Sequence, residues 1–535
     1  MSEENELPMG WAMAKVAEVA DIVEPGFPYG NYNTVGKGFP QLRPMNIDGQ
    51  GRLYLDELKY VDVANPPLLN HGDVLFNNTN SPVWVGKTTI IRENAKFTFS
   101  NHMTRVRLNP QAGLPAFFAL QLQYLQQFGY FLARCNHHVN QASISSSYLA
   151  TNVSLLVAPV SEQRRIVAAI EQQFTRLDAG IAALKRAKTK LKRYRAAMLK
   201  AAVEGKLTEG WRAEHPDTES ASVLLERILA ERRAKWEADL RAKGKDPAKV
   251  KYVEPAKPDV GSLPAVPKGW CWATVEQVCE RIVDCLHSTP AFKEAGYICI
   301  DTNCIKPGRI IYEKVRYVDE NTFNERNIRM KPQENDVLFS REGALLGVAV
   351  TVPANLEFCL GQRMMIFRLS SCVNAKYYES FLSSSNFRSQ YASEITGTAS
   401  PHLNIRDVCK FAIALPCLSE QQQIVSEVER RLSVVSQLEA TVEANLKRAE
   451  RLRQSILKEA FAGRLVPQDQ GDEPAGVLLE RIRREREEQR ETQGNGKGNG
   501  ANKRRAARVT HEVYADVKEM EEIDVQGVEQ VSLWP

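Results

Sequence analysis

Two short segments hold residue types able to do covalent chemistry. The first is Asn65-Pro66-Pro67-Leu68. An Asn-Pro-Pro loop can hold an exocyclic amine against its polar side chain and a carbonyl, while a following aromatic ring stacks on the extruded base. Leu68 stands where that ring is needed, and no Gly-rich loop suited to a methyl donor follows a strand. The second is Gly86-Lys87-Thr88, which ends like a phosphate cradle. Such a cradle needs a glycine five residues before Gly86, and Ser81 occupies that place. A turn accounts for both segments. The ten cysteines include no C-x-x-C pair, and the eight histidines include no H-x-x-x-H pair. A tetrahedral zinc site needs ligands clustered at such short spacings. The expectation is a chain with no catalytic residue, no cofactor of its own and no metal, its thiols reduced in an ordinary core.

Binding chemistry is better represented. Arginine forks fit guanine, Asn and Gln fit adenine, and basic side chains follow phosphates. Loop candidates of this kind are Arg43, Asn77, Asn78, Asn80, Lys87, His102 and Arg105 in the first half of the chain. In the second half they are Arg341, Glu342, Gln362 and Arg363. Eight of the sixteen residues from Lys185 to Lys200 are basic and none is acidic. That run suits either phosphates or an acidic protein surface.

The elements that position these residues are written twice. Gly10-Trp11 returns as Gly269-Trp270, Asp73-Val74-Leu75-Phe76 as Asp336-Val337-Leu338-Phe339, and Ser161-Glu162-Gln163 as Ser419-Glu420-Gln421. From Ser161 to Leu207 the offset is a constant 258, and 14 of the 47 pairs are identical. Each copy begins with short β-rich runs broken by Gly, Pro and Asn turns, which reads as a mixed α/β (α+β) globular domain. Each then continues into a long helix. Ile170, Leu177, Leu184, Leu191 and Met198 recur every seven residues; so do Val428, Val435, Val442, Ala449 and Ile456, with Leu432, Leu438 and Leu446 alongside. A sustained seven-residue apolar period is a coiled-coil seam. The two helices are of equal length and a globular domain lies between them, so the expectation is an antiparallel pair with pseudo-two-fold symmetry. The spans are 1–157 for the first globular domain, 158–242 for the first long helix and its flanking helix, and 243–262 for a Pro-rich linker. The second domain takes 263–415, the second helical part 416–490, and 491–535 reads as a disordered tail.

Composition fits a globular chain: 535 residues, 43% hydrophobic, 25% charged, net charge +5. No apolar run is long enough to span a bilayer, and Met1–Gly10 has no signal-peptide core. Cytoplasmic location is the expectation.

This architecture resembles the specificity subunit of type I restriction-modification systems over about residues 7–490. The marks are Pro159 with Ser161-Glu162-Gln163 and Ile166, Pro416 with Ser419-Glu420-Gln421 and Ile424, the helix ends Leu199-Lys200 to Leu207 and Leu457-Lys458 to Leu465, and the two Gly-Trp openings. The resemblance implies two target recognition domains, each reading one half of a bipartite, asymmetric double-stranded DNA target. It also implies that the coiled coil acts as a spacer ruler. Two methyltransferase subunits would dock on the coiled coil, and restriction subunits would join them. S-adenosylmethionine, ATP and Mg would belong to those partners, and this chain would be non-catalytic. A coiled-coil scaffold without DNA specificity is the alternative.

Overall fold

The computed structural model describes residues 7–92, 96–139, 141–343, 345–392 and 402–495, with side chains to residue 491. The chain divides into two compact units, residues 1–183 with 445–535, and residues 184–444. The cuts fall inside the long helices, so each unit holds one globular copy and a part of both helices.

In the first copy a four-stranded antiparallel sheet runs in the order Ala20–Pro25, Met103–Leu108, Val74–Asn77, Thr88–Ile90. The second copy repeats it with Cys279–Asp284, Met364–Leu369, Val337–Ser340 and Ala349–Thr351. The Asp-Val-Leu-Phe repeat is the start of the third strand in each. Its three apolar residues are fully buried in both copies. Its aspartate is buried too, and is held by a two-bond contact from an arginine on the neighbouring strand: Arg107 to Asp73 at 2.7 and 2.8 Å, Arg368 to Asp336 at 3.0 and 2.8 Å. The same carboxylates accept the backbone N–H of Asn70 and Gln333, which fixes the turn into the strand. A buried carboxylate needs such partners, and finding them twice explains why this motif marks the repeat.

A smaller mixed sheet packs beside each large one: Lys59–Val61, Phe39–Leu42 and Thr98–Phe99, then Arg316–Val318, Tyr297–Ile300 and Phe358–Leu360. Each copy is closed by a two-stranded antiparallel ladder, Ala12–Lys15 with Ser154–Val157 and Cys271–Thr274 with Ala412–Leu415. The closing strand leads directly into the long helix.

The long helices are Val160–Val203 and Leu418–Phe461, 44 residues each, or roughly 66 Å at 1.5 Å per residue. The Ser-Glu-Gln motif opens both. Gln163 donates to the carbonyls of Ala158 and Ala112 and accepts from Leu114 N–H; Gln421 donates to Pro416 and accepts from Asn374 N–H. The glutamine side chain thereby ties the helix start to the loop before the domain's own helix. Both helices end at a glycine of positive φ, Gly205 at +70° and Gly463 at +68°. Lys206 N–H reaches back to Ala201 and Arg464 N–H to Glu459, the hydrogen bond of a Schellman cap.

Within each unit the helices run antiparallel. In residues 184–444, Lys188 pairs with Glu443 and Arg195 with Glu439. In the other unit Arg453 pairs with Asp178, and Ile456, Leu457, Ala460 and Phe461 share a core with Ile166, Val167 and Ile170. All ten expected seam residues are buried or half-buried. Leu438 is not: it is exposed. The second buried row of that helix passes through Leu432, Glu439, Leu446 and Arg453, so the seam carries a charged residue where the apolar pattern pointed to Leu438.

A further helix follows each long one. Ala221–Ala242 docks on the second copy, with Ala221 N–H on Gly269 and Arg232 on the carbonyls of Glu276 and Cys279. Ala475–Asn495 docks on the first, with Ala475 N–H on Gly10 and Arg486 on the carbonyls of Ala17, Glu18 and Ala20. The last helix continues to Asn495, past the expected start of the tail at Glu491; the tail from 496 to 535 lies outside the described residues.

Candidate nucleic-acid interface

The two copies place their candidate readers at the same point of the fold. After the Asp-Val-Leu-Phe strand, Asn78 N–H meets the carbonyl of His102, while Arg341 N–H meets that of Arg363. A third segment joins each: Ile144 N–H to Asn78, and Leu403 N–H to Arg341. The frame is common, and the side chains it presents differ.

In the first copy, Arg43, Asn80, Lys87 and His102 line one open cavity of about 500 Å³ together with Tyr32 and Trp84. Arg43 lies over the Tyr32 ring at 5.3 Å, and Lys87 over the Trp84 ring at 5.6 Å. Tyr32, Met45 and Trp84 are exposed at the rim. A half-buried guanidinium, an amide, an imidazole and two exposed rings supply groups for base edges, phosphates and stacking. Sequence reading did not single out Tyr32 or Trp84. Their signal is an aromatic residue in a Gly/Pro/Asn-rich turn, as in Pro28-Tyr29-Gly30-Asn31-Tyr32 and Ser81-Pro82-Val83-Trp84.

Other candidates of this copy are committed internally. Asn77 is fully buried and donates to Trp84 O. Asn78 donates to Asn101 O and Thr104 Oγ1. Arg105 is 8% exposed and is held by Leu68 O and Glu24. Lys87 places its ammonium on the carbonyls of Pro44 and Ile47, at 2.8 and 2.5 Å. Burial pushes its pKa down, only partly opposed by Asp48. It braces the turn that carries Arg43 and Met45. Asn65, of the Asn-Pro-Pro segment, is a turn residue at φ +54°.

In the second copy Arg341 and Gln362 converge on His287, and Glu342 pairs with Arg341. Arg341 contacts Leu403 O, His287 and Glu342 Oε1 at 3.1, 3.3 and 2.8 Å; Gln362 donates to His287 O at 2.9 Å. Arg363 is exposed beside them with φ +65°. Arg341 itself is 5% exposed, so the outward groups are His287, Gln362 and Arg363. His287 was not among the sequence candidates. It enters through the strand end Cys279–Asp284, far away in sequence.

Each opening tryptophan anchors its domain to the first turn of a long helix. Trp11 Nε1 donates to Glu162 at 2.9 Å, and Trp270 Nε1 to Glu420 at 2.8 Å. Seven of the eight basic residues from Lys185 to Lys200 are exposed, Arg195 being half-buried. Among the described residues there is no group of side chains able to hold a metal ion, and no helix long and apolar enough to cross a membrane.

Comparison with known proteins agrees with this geometry. Residues 268–448 match the family described as type I restriction modification DNA specificity domain. The chain is 24% identical over 509 residues to the type I restriction enzyme EcoKI specificity subunit of Escherichia coli (strain K12), covering 90% of this chain and 97% of that protein. It is 23% identical to the Escherichia coli EcoDI specificity subunit, covering 63% of this chain and 69% of that one. A solved chain from a study of assembly and conformational transition in the type I R-M system shares the fold. It has a TM-score of 0.58 at 19% identity and covers 86% of this chain and 99% of its own. Residues 268–448 thus carry a type I restriction modification DNA specificity domain, and over most of its length the chain is similar to type I restriction enzyme specificity subunits.

Proposed function

We propose that each globular copy, residues 1–157 and 263–415, reads one half of a bipartite, asymmetric double-stranded target. The long helices, within 158–242 and 416–490, set the gap. The observation that carries this is the shared frame with unlike contents. The same backbone meeting point presents Arg43, Asn80 and His102 beside Tyr32 and Trp84 in one copy, and His287, Gln362 and Arg363 in the other. One frame with two chemistries suits two different half-sites.

The helices with their exposed basic flank serve as the dock for two methyltransferase subunits, to which restriction subunits are added. Those partners bring S-adenosylmethionine, ATP and Mg, and the assembly works in the cytoplasm. Single-molecule sequencing of adenine methylation in host DNA, with and without this chain, tests the reading. A split motif that disappears on deletion is the expected result. A motif that persists unchanged contradicts it. The ruler has its own test: four residues inserted near Ala187 change the preferred gap or the register, and an unchanged target in a folded complex refutes a spacer role.

A further inference from the structure

Each unit contains a cavity between the globular copy and the long helices, and the helix face and two arginines that line it correspond in the two. In the first unit Ile170, Glu171, Phe174, Thr175 and Asp178 face Arg453, Arg52 and Ala116. In the second, Val428, Glu429, Leu432, Ser433 and Ser436 face Arg195, Arg309 and Lys376. The helix residues are related by the offset of 258, and Arg52 and Arg309 each follow the glycine of a Gly-Arg turn.

Two substitutions on the helix face separate them in chemistry. Asp178 sits between two guanidinium groups, Arg52 at 2.5 Å and Arg453, and Arg453 also lies 4.0 Å from the Phe174 ring centre. In the other unit the aspartate is Ser436 and the phenylalanine is Leu432, while both arginines remain. Arg195 makes a 3.2 Å hydrogen bond to Ser436 Oγ and stands 3.6 Å from Glu439. Its side chain is 28% exposed, against 6% for Arg453. The cavity is larger, about 1120 Å³ against about 510 Å³.

Charge follows the same line. The second cavity is lined by six basic residues: Lys188, Lys192, Arg195, Lys306, Arg309 and Lys376. Three are answered locally, Lys188 by Glu443, Arg195 by Glu439 and Lys376 by Glu379. Lys192, Lys306 and Arg309 are exposed and make no ion pair or side-chain hydrogen bond among the described residues. Glu429 is the remaining acid of the lining.

We propose that the cavity of the second unit binds a phosphate group between Arg195 and Arg309, where the first unit supplies the carboxylate of Asp178. Ser436 contributes a hydroxyl in place of the carboxylate, and Lys192 and Lys306 add charge around it. The phosphate is either free or a diester of the DNA backbone; the DNA source rests on the function proposed above, the free source does not.

The test compares Ser436→Asp and Arg309→Ala with Ser426→Asp, a charge-matched change at an exposed position of the same helix outside the cavity lining. Inorganic phosphate is titrated against the full chain at constant ionic strength, with thermal unfolding as the readout. Binding of a duplex lacking the target, by the chain assembled with its methyltransferase partner, is measured against salt. If the site takes free phosphate, phosphate raises the midpoint of wild type and Ser426→Asp but not of Ser436→Asp or Arg309→Ala. If it takes a backbone phosphate, the salt slope of the latter two falls by about one, and that of Ser426→Asp does not. Either result supports the site and identifies its source. Cavity variants that match Ser426→Asp in both measurements overturn it. Methylation by the same complexes is sequenced in parallel, so a loss of all sequence preference marks failure of the DNA reading, while the phosphate titration still decides the site.

Discussion

The two junctions between a globular copy and its long helix share an anchor but not its surroundings. Glu420 accepts from Trp270 Nε1 at 2.8 Å, from Thr208 Oγ1 at 2.7 Å and from Arg212. Glu162 accepts from Trp11 Nε1 at 2.9 Å, with Gln468 and Arg165 as its further polar neighbours. Burial is the leading influence on Glu162 and pushes its carboxyl pKa up. The duplicated fold therefore keeps what holds the frame, the indole-to-carboxylate bond, and lets the charge balance around it diverge. The same division runs through the seam arginines and the candidate reading sites.

The largest expected effect breaks the better-satisfied junction. Glu420→Ala leaves Arg212 and the Trp270 N–H without their acceptor in a buried place, a loss of about 3–5 kcal/mol. Glu162→Ala removes a carboxylate that burial already disfavours and costs about 1–2 kcal/mol. Denaturant unfolding of the two variants measures the difference, and equal losses dissolve the comparison. Next come the seam positions. Val435→Asp puts a charge at a residue 2% exposed and costs several kcal/mol, about 3 or more. Leu184→Asp, at a half-buried position, costs less, and the order is read from thermal midpoints. Asp178→Ser then strands Arg453 for a loss of about 1–3 kcal/mol, whereas Ser436→Asp is neutral or stabilising.

The smallest effect is in pH, and its sign differs between the units. Glu162 has a raised folded pKa, so its contribution is present below the ordinary carboxylate value and is lost as pH rises through the raised one. Glu427, in the second unit, is held down to about 2, foremost by its hydrogen bond with Arg430 and then by Arg431. Its contribution is present above the ordinary value and is lost as pH falls toward 2. Relative to wild type, Glu162→Gln should gain stability as pH rises toward neutral, whereas Glu427→Gln should be less stable than wild type at neutral pH and converge on it toward acid.

What could be read in advance was whatever is local or periodic. The long helices, their glycine stops and the seam appear in the spacing of apolar residues, and the Trp and Ser-Glu-Gln marks stand out because the chain states them twice. The reading sites were harder, since exposure is set by strand pairing and not by residue type. Asn77 and Arg105 have reading chemistry, yet the large sheet buries both. Tyr32 and Trp84 look like core aromatics, yet they stand at a cavity rim. Leu438 fits the apolar pattern but faces away from the seam, because the pairing row takes Glu439 opposite Arg195.

The central claim is that the two copies read different halves of one target. The most direct test sequences methylation made by the assembled enzyme carrying Tyr32→Ala with His102→Ala, or Gln362→Ala with Arg363→Ala. The account predicts that each pair relaxes one half of the motif and leaves the other half and the gap intact. Relaxation of both halves by either pair, or no change in either, would contradict it.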